Sequence, residues 1–195
     1  MGDIGPLSPL LHVLANLTAW LRAQKVRGAV IGGVAASILG RPRATRDVDA
    51  VVLMDTARLE SFLASGSQFG FAARIEGAVE FAIRNRVLLL VHVPSETQVD
   101  ISLGVLPFEQ ESIARAKRVT VSGISFPLVT AEDLIIMKAV AHRPRDMVDI
   151  ESVLDTMTNL DLGRIRDWVS QFAAVLESPD ILDDLENILS RRMRP

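Results

Sequence analysis

The chain has no cysteine. Disulfides and thiolate zinc sites are therefore excluded. Histidine is almost as scarce, with only His12, His92 and His142, far apart in sequence. A His-rich metal site does not fit that pattern, and a hard cation would have to be held by Asp and Glu. Long apolar runs are missing too: the longest, such as Val87 to Val91, have strand length rather than membrane length. No N-terminal stretch combines a basic start, an apolar block and a cleavage site. The expectation is a soluble cytoplasmic protein with no membrane partner. There is no excess of positive charge either, since the formal net charge is −3. A uniformly basic nucleic-acid binder is disfavoured, although local Arg clusters can still hold phosphate. Repeats and low-complexity segments are absent.

Apolar residues are plentiful, at 49% of 195 residues. That suffices for a real core in one large domain or two small ones. Leu10, Leu11, Leu14, Leu17 and Leu21 recur at helical spacing within Leu7 to Arg22. Arg27 to Ile31 reads as a buried strand stopped by Gly32-Gly33. Val34 to Leu39 reads as a short helix ended at Gly40, and Arg41 to Arg46 as a loop. Asp47 to Leu53 is the second strand. Thr56 to Ser65 is a helix capped by Asp55 or Thr56, and Phe69 to Arg74 a short strand. Two strands follow, Val87 to Val93 and Gln98 to Leu103, separated by a turn at Pro94-Ser95-Glu96. Phe108 to Lys117 reads as helical, and Val119 to Val129 as a hairpin turning at Ser122-Gly123. Beyond it the pattern is wholly helical. Thr130 is placed as an N-cap with Asp133 three residues on. Pro144 begins a second helix or kinks the first. Helices near Leu162 to Phe172 and Ile181 to Leu189 finish the chain. The tail with Arg191, Arg192 and Arg194 is expected to be disordered and solvated.

Chemistry concentrates in "VIGGVAASILGRPRATRDVDAVV". Side chains alternate faces along a strand, so Asp47 and Asp49 share one face and Val48 and Ala50 the other. Two neighbouring carboxylates repel each other and are costly to bury. A divalent cation resolves both problems; an edge strand with its polar face in water is the other solution. "TQVDISLG" adds one more acid, Asp100. Two-metal phosphoryl-transfer sites need about three carboxylates, with ions on the order of 4 Å apart. Pairing with an Arg at a strand end is the alternative for Asp100. The Gly32-Gly33 pair, between a strand and a helix, lets backbone approach a ligand and offers N–H groups to phosphate.

Strand, Gly-Gly, helix, loop and Asp-apolar-Asp together resemble the nucleotidyltransferase superfamily that includes DNA polymerase β. The matching residues are Ile31, Gly32, Gly33, Asp47, Val48, Asp49 and the later Asp100. The spacer, Val34 to Arg46, is at the long end for that superfamily. Within it, "TAEDLIIMKAVAHRPRDMVDIESVL" resembles the AbiEii-type toxins of toxin–antitoxin systems, through Lys138, Arg145, Asp146 and Asp149. The resemblance spans roughly residues 26 to 155. It implies an α+β protein. Residues 1–128 would form a minimal nucleotidyltransferase core, a mixed sheet flanked by helices. Residues 129–195 would form a helical C-terminal domain closing the nucleotide cleft. The implied reaction moves a nucleoside monophosphate from an NTP to an acceptor hydroxyl with Mg²⁺, as two ions, or Mn²⁺ in its place. Asp47, Asp49 and Asp100 would hold the metals, and Asp100 would double as general base. Lys138 would stand over the nucleotide phosphates and act in catalysis. Gly32, Gly33, Arg46, Arg145, Asp146 and Asp149 would complete the nucleotide site. An RNA acceptor such as tRNA, and a cognate antitoxin, follow from the AbiEii likeness. A small hydroxylated acceptor, as for aminoglycoside-modifying enzymes, and a non-catalytic nucleotide-binding protein are the alternatives.

Several residues carry two readings. Arg41, Arg43 and Arg46 clamp triphosphate or RNA, or form a solvated loop offsetting the carboxylates. Thr45 reads as an ordinary turn residue. Lys138, inside an apolar helix, either snorkels to water or meets an anion. Asp146 and Asp149 either orient Lys138 or Arg145, or strengthen a helix start. His142 reads as a structural helix-end residue.

Overall fold

The computed structural model describes residues 5–192. In chain order the helices are α1 (Leu11–Ala23), α2 (Gly32–Leu39), α3 (Leu59–Gly66), α4 (Ala78–Asn85), α5 (Pro107–Arg115), α6 (Ala131–Ala141), α7 (Pro144–Thr156), α8 (Leu162–Val175) and α9 (Asp180–Arg192). The strands are β1 (Arg27–Ile31), β2 (Asp47–Leu53), β3 (Phe71–Ala73), β4 (Val87–His92), β5 (Thr97–Leu103), β6 (Lys117–Val121) and β7 (Ile124–Leu128). The chain divides into two compact units. The first comprises the residues up to Ser37 together with Pro42–Val129; the second comprises Ile38–Arg41 and the chain from Thr130 on.

The first unit is built on one mixed sheet in the order β3-β4-β5-β2-β1-β7-β6. β2 runs parallel to its neighbour β5 and antiparallel to β1. Burial follows the alternation of the sequence. Val48, Ala50 and Val52 on β2 and Val99, Ile101 and Leu103 on β5 are all buried. Their in-between neighbours form the other face, which carries the acids. Trp20 of α1 anchors the core. Its indole stacks on Phe62 at 4.0 Å and on Phe71 at 5.2 Å, and its N–H donates to Ser65 Oγ at 2.9 Å. Burying a large apolar side chain contributes roughly 2–3 kcal/mol, and aromatic pairing adds about 1 kcal/mol. His92 extends this cluster, buried against Phe71 and bonded to Asn16 and Ser95. Burial first, and the charge of His12 second, hold its pKa below the usual imidazole value.

In the second unit α6 is buried nearly all round, with Leu134, Ile135, Ile136 and Ala139 in the core, and α7, α8 and α9 pack against it. Thr130 caps α6, accepting from the Asp133 backbone N–H at 3.2 Å. The fully buried Asp133 carboxylate pairs with Arg164 of α8 at 2.8 Å. His142 ends α6 in the left-handed region, at φ 51°, and Pro144 starts α7. α6 and α7 are therefore separate helices rather than one kinked helix.

Some boundaries differ from those the sequence predicts. α4 has no counterpart in the sequence reading; its eight residues start after a left-handed Gly77 and stop at a left-handed Arg86. Such a short segment shows little periodicity by itself. α1 is preceded by 3₁₀ turns over Gly5–Leu10, which contain Pro9. Asp55 is the cap before α3, accepting from Ala57 N–H at 2.9 Å. α5 ends at Arg115, because Lys117 already pairs with Leu128 as the start of β6. Arg191 and Arg192 lie within α9, so the expected disordered tail does not include them. Arg194 lies outside the described residues. Among the described residues no helix is long and apolar enough to cross a membrane.

Candidate active site

The site of the first unit is built from strand register. Asp49 of β2 lies directly opposite Asp100 of β5, and Asp47 lies opposite Gln98. Residues paired in register point to the same face. The structure therefore brings Asp47, Asp49 and Asp100 together on one face of two central strands. Asp47 is exposed, and Asp49 and Asp100 are half-buried. An edge strand does not explain the two β2 acids, since β2 has neighbours on both sides.

The glycine pair is fitted to these acids. Gly32 follows Ile31, the residue paired with Asp49 across β1 and β2. It adopts φ +64°, and a Cβ there would fall 1.9 Å from Asp49 Oδ2. Only glycine leaves the carboxylate its place. A Cβ on Gly33 would fall 2.3 Å from Thr45 Oγ1. That hydroxyl donates to Asp47 Oδ1 at 2.7 Å. One glycine makes room for Asp49, and the next makes room for the threonine that orients Asp47. By sequence Thr45 is an ordinary turn residue, and no sequence signal marks its bond to Asp47.

Arg74, immediately after β3, is by sequence only the end of a strand. Its guanidinium bridges two side chains of β5, donating to Gln98 Oε1 at 2.7 Å and to Asp100 Oδ1 at 2.9 Å. The pairing of Asp100 with an arginine, one of its two sequence readings, is thus present. Burial pushes the Asp100 carboxyl up, and Asp47 adds to this; Arg74 opposes them without reversing the shift.

Among the described residues, no three His, Asp or Glu side chains stand close enough to enclose a metal ion. The donor set still suits a hard divalent cation. It offers carboxylate oxygens alone, from adjoining positions on one face of paired strands. Of the arginines before β2, Arg41 bonds Asp155 at 2.8 Å within the second unit. Arg43 bonds the Ala44 carbonyl, and Arg46 is exposed.

Lys138 belongs to a separate cluster in the second unit. It is 8% exposed, so it does not snorkel to water. Its ammonium donates to Asp146 Oδ1 at 2.6 Å and meets Asp149 Oδ2 at 2.9 Å. Arg143 closes on the other Asp146 oxygen at 2.6 Å. Burial would raise the Asp146 pKa, but the hydrogen bonds and charges of Arg143 and Lys138 more than reverse this and hold it below the usual range. Arg145 is exposed on the first turn of α7. The His142 ring nitrogens lie 3.3 Å from Asp180 and 3.0 Å from Asp184, a structural role at a helix end.

A strand-to-helix glycine pair shaped around carboxylates on paired strands is an arrangement suited to metal-assisted phosphoryl transfer. The chain belongs to the family described as "Nucleotidyltransferase of unknown function (DUF6036)", whose model matches residues 9–187. The protein is a nucleotidyltransferase, hence a transferase enzyme. No curated protein matches it in sequence. Among solved structures it is similar to the antibiotic-resistance factor ANT(2'')-Ia in solution, at 14% identity over 90% of this chain and 96% of that one, with TM-score 0.61. The same factor in complex with adenylyl-2''-tobramycin gives 14% identity, 87% and 99% coverage and TM-score 0.59. An antigenic nucleotidyltransferase-like protein from Paracoccidioides brasiliensis gives 18% identity, 92% and 93% coverage and TM-score 0.54. At these identities the likeness is one of fold.

Proposed function

We propose that the protein transfers a nucleoside monophosphate from an NTP to an acceptor hydroxyl, with Asp47, Asp49 and Asp100 as the reacting centre. The observation that carries this is the register that sets Asp49 beside Asp100 with Asp47 on the same face. These three carboxylates would hold Mg²⁺, as two ions, or Mn²⁺ in its place. Bound there, the cation supplies charge neutralisation on the triphosphate and orients it. Asp100 takes the acceptor proton as its oxygen bonds to the α-phosphorus and the bond to pyrophosphate breaks. The backbone at Gly32-Gly33 and the exposed Arg46 supply contacts to phosphate. The nucleotide-binding role that the AbiEii likeness assigns to Lys138, Arg145, Asp146 and Asp149 belongs to the same proposal. Its support is the ordered ammonium held by Asp146 and Asp149. NTP and Mg²⁺ as reactants make the cytoplasm the expected compartment.

For the acceptor we favour a small hydroxylated molecule. The chain is matched over 99% of the length of an enzyme complexed with an adenylylated aminoglycoside, and its net charge of −3 suits a cationic acceptor. An AbiEii-like toxin acting on tRNA, countered by an antitoxin, is supported by the Lys138 to Asp149 segment. The test is incubation with each labelled NTP and Mg²⁺, against total RNA and against a panel of aminoglycosides. Label on an aminoglycoside supports the favoured acceptor. Salt-sensitive labelling of RNA supports the second reading. No label on any acceptor, with nucleotide and metal shown to bind, overturns the transfer itself.

A further inference from the structure

We propose that Arg74 is a positioning residue that competes with the divalent cation for Asp100, holding that carboxylate until a cation displaces it. This rests on the metal-binding reading of the carboxylate face.

The geometry is built from both ends. The Arg74 backbone N–H donates to the Leu89 carbonyl at 3.0 Å, and Leu89 is the β4 partner of Asp100. The side chain thus starts two strands from the acid, with β4 between, on the row that continues through Leu89 and Asp100 to Asp49. It reaches across β4 and grips β5 at two alternate positions, Gln98 and Asp100. Those two side chains share a face, and their register partners on β2 are Asp47 and Asp49. A forked, planar guanidinium can serve both acceptors at once, whereas a lysine ammonium could not span them equally well. Gln98 is neutral and fixes the fork without adding charge. The Arg74–Asp100 pair is half-buried, with side-chain exposures of 26% and 36%, so water screens it only in part.

A face with three carboxylates gathers cations, and Arg74 is one that the fold itself supplies. Its charge adjoins Asp100 at 2.9 Å, and any second cation on that carboxylate feels it as repulsion. Free enzyme therefore keeps Asp100 ordered and binds metal weakly.

Manganese binding to the nucleotide-free protein, followed by electron paramagnetic resonance or calorimetry, tests this without turnover. Arg74→Gln should bind Mn²⁺ about 10-fold more tightly than wild type. Arg74→Lys keeps the charge and should stay within about threefold of wild type. Unchanged or weaker binding in Arg74→Gln overturns the proposal, as does equal tightening in both variants. Asp49→Asn separates the two layers of the argument. If it abolishes Mn²⁺ binding while Arg74→Gln leaves affinity unchanged, only the Arg74 proposal fails. If Asp49→Asn leaves wild-type affinity, or no Mn²⁺ binds at all, the metal reading fails and the Arg74 proposal with it.

Discussion

Gly32 and Asp49 are fitted to each other, because a methyl group on Gly32 would lie 1.9 Å from Asp49 Oδ2. Gly32→Ala therefore meets two obstacles at once. It must hold an L-residue at φ +64°, which costs roughly 1–2 kcal/mol, and it must push the carboxylate aside. The expected outcome is a folded protein about 1–3 kcal/mol less stable, with transfer reduced at least about 100-fold. Denaturant unfolding and steady-state transfer on one preparation check both parts. Transfer near the wild-type rate would show that Asp49 can relocate without consequence.

Thr45 offers a gentler probe. Thr45→Val keeps the shape beside Gly33 and deletes only the hydroxyl that donates to Asp47 Oδ1. The bond is exposed, so water replaces the lost partner and its contribution to folding is only about 0.5–1 kcal/mol. The loss should appear as a fall of roughly 10-fold in kcat/KM, with stability changed by less than about 1 kcal/mol. A change in stability alone would make Thr45 a loop residue only.

Asp49→Asn removes one of the two central acids and leaves the shape of the side chain. Transfer should fall by about three orders of magnitude, while circular dichroism stays unchanged. Relief of repulsion with Asp47 and Asp100 should raise the melting temperature slightly in buffer containing EDTA. Wild-type turnover would remove Asp49 from the reacting centre.

Lys138 is the counter-charge to two buried carboxylates. Lys138→Met fills similar volume but removes the ammonium shared by Asp146 and Asp149. Breaking a buried pair from one side costs about 3–5 kcal/mol, so the unfolding midpoint should drop sharply. Lys138→Arg should recover part of the loss, since charge returns with a larger, planar head. A Met variant of unchanged stability would show that the pair contributes nothing net.

The depressed pKa of Asp146 sets the acid behaviour of the same cluster. A carboxyl whose folded pKa lies below its unfolded value stabilises above that unfolded value, about 3.9. The contribution is lost as pH falls through the folded value. Wild type should therefore exceed Asp146→Asn in stability at pH 7, and the gap should narrow below about pH 4. Denaturant titrations at pH 7 and pH 3 measure it; a gap independent of pH would place the stabilisation elsewhere.

Sequence by itself determined what depends on neighbours along the chain. Strand parity put Asp47 and Asp49 on one side of β2, Thr130 marked where α6 begins, and Pro144 left a second helix or a kink open. The Gly-Gly pair was legible because glycines between a strand and a helix let backbone approach a ligand. Residue type also identified the carboxylates, since acids inside apolar strands are costly without a reason. Tertiary structure decided what depends on partners far away in the chain. The setting of Asp100 against Asp49 is a matter of strand order and register, which a parallel pair with a long connection leaves open. Arg74 became visible only when β4 paired between it and Asp100, and Thr45 only when the loop closed over Gly33. Lys138 could have reached water or an anion by sequence alone. Packing of α6 among three helices removed the water, and Asp146 and Asp149 then became its partners, because a buried ammonium without counter-charge is too costly to keep.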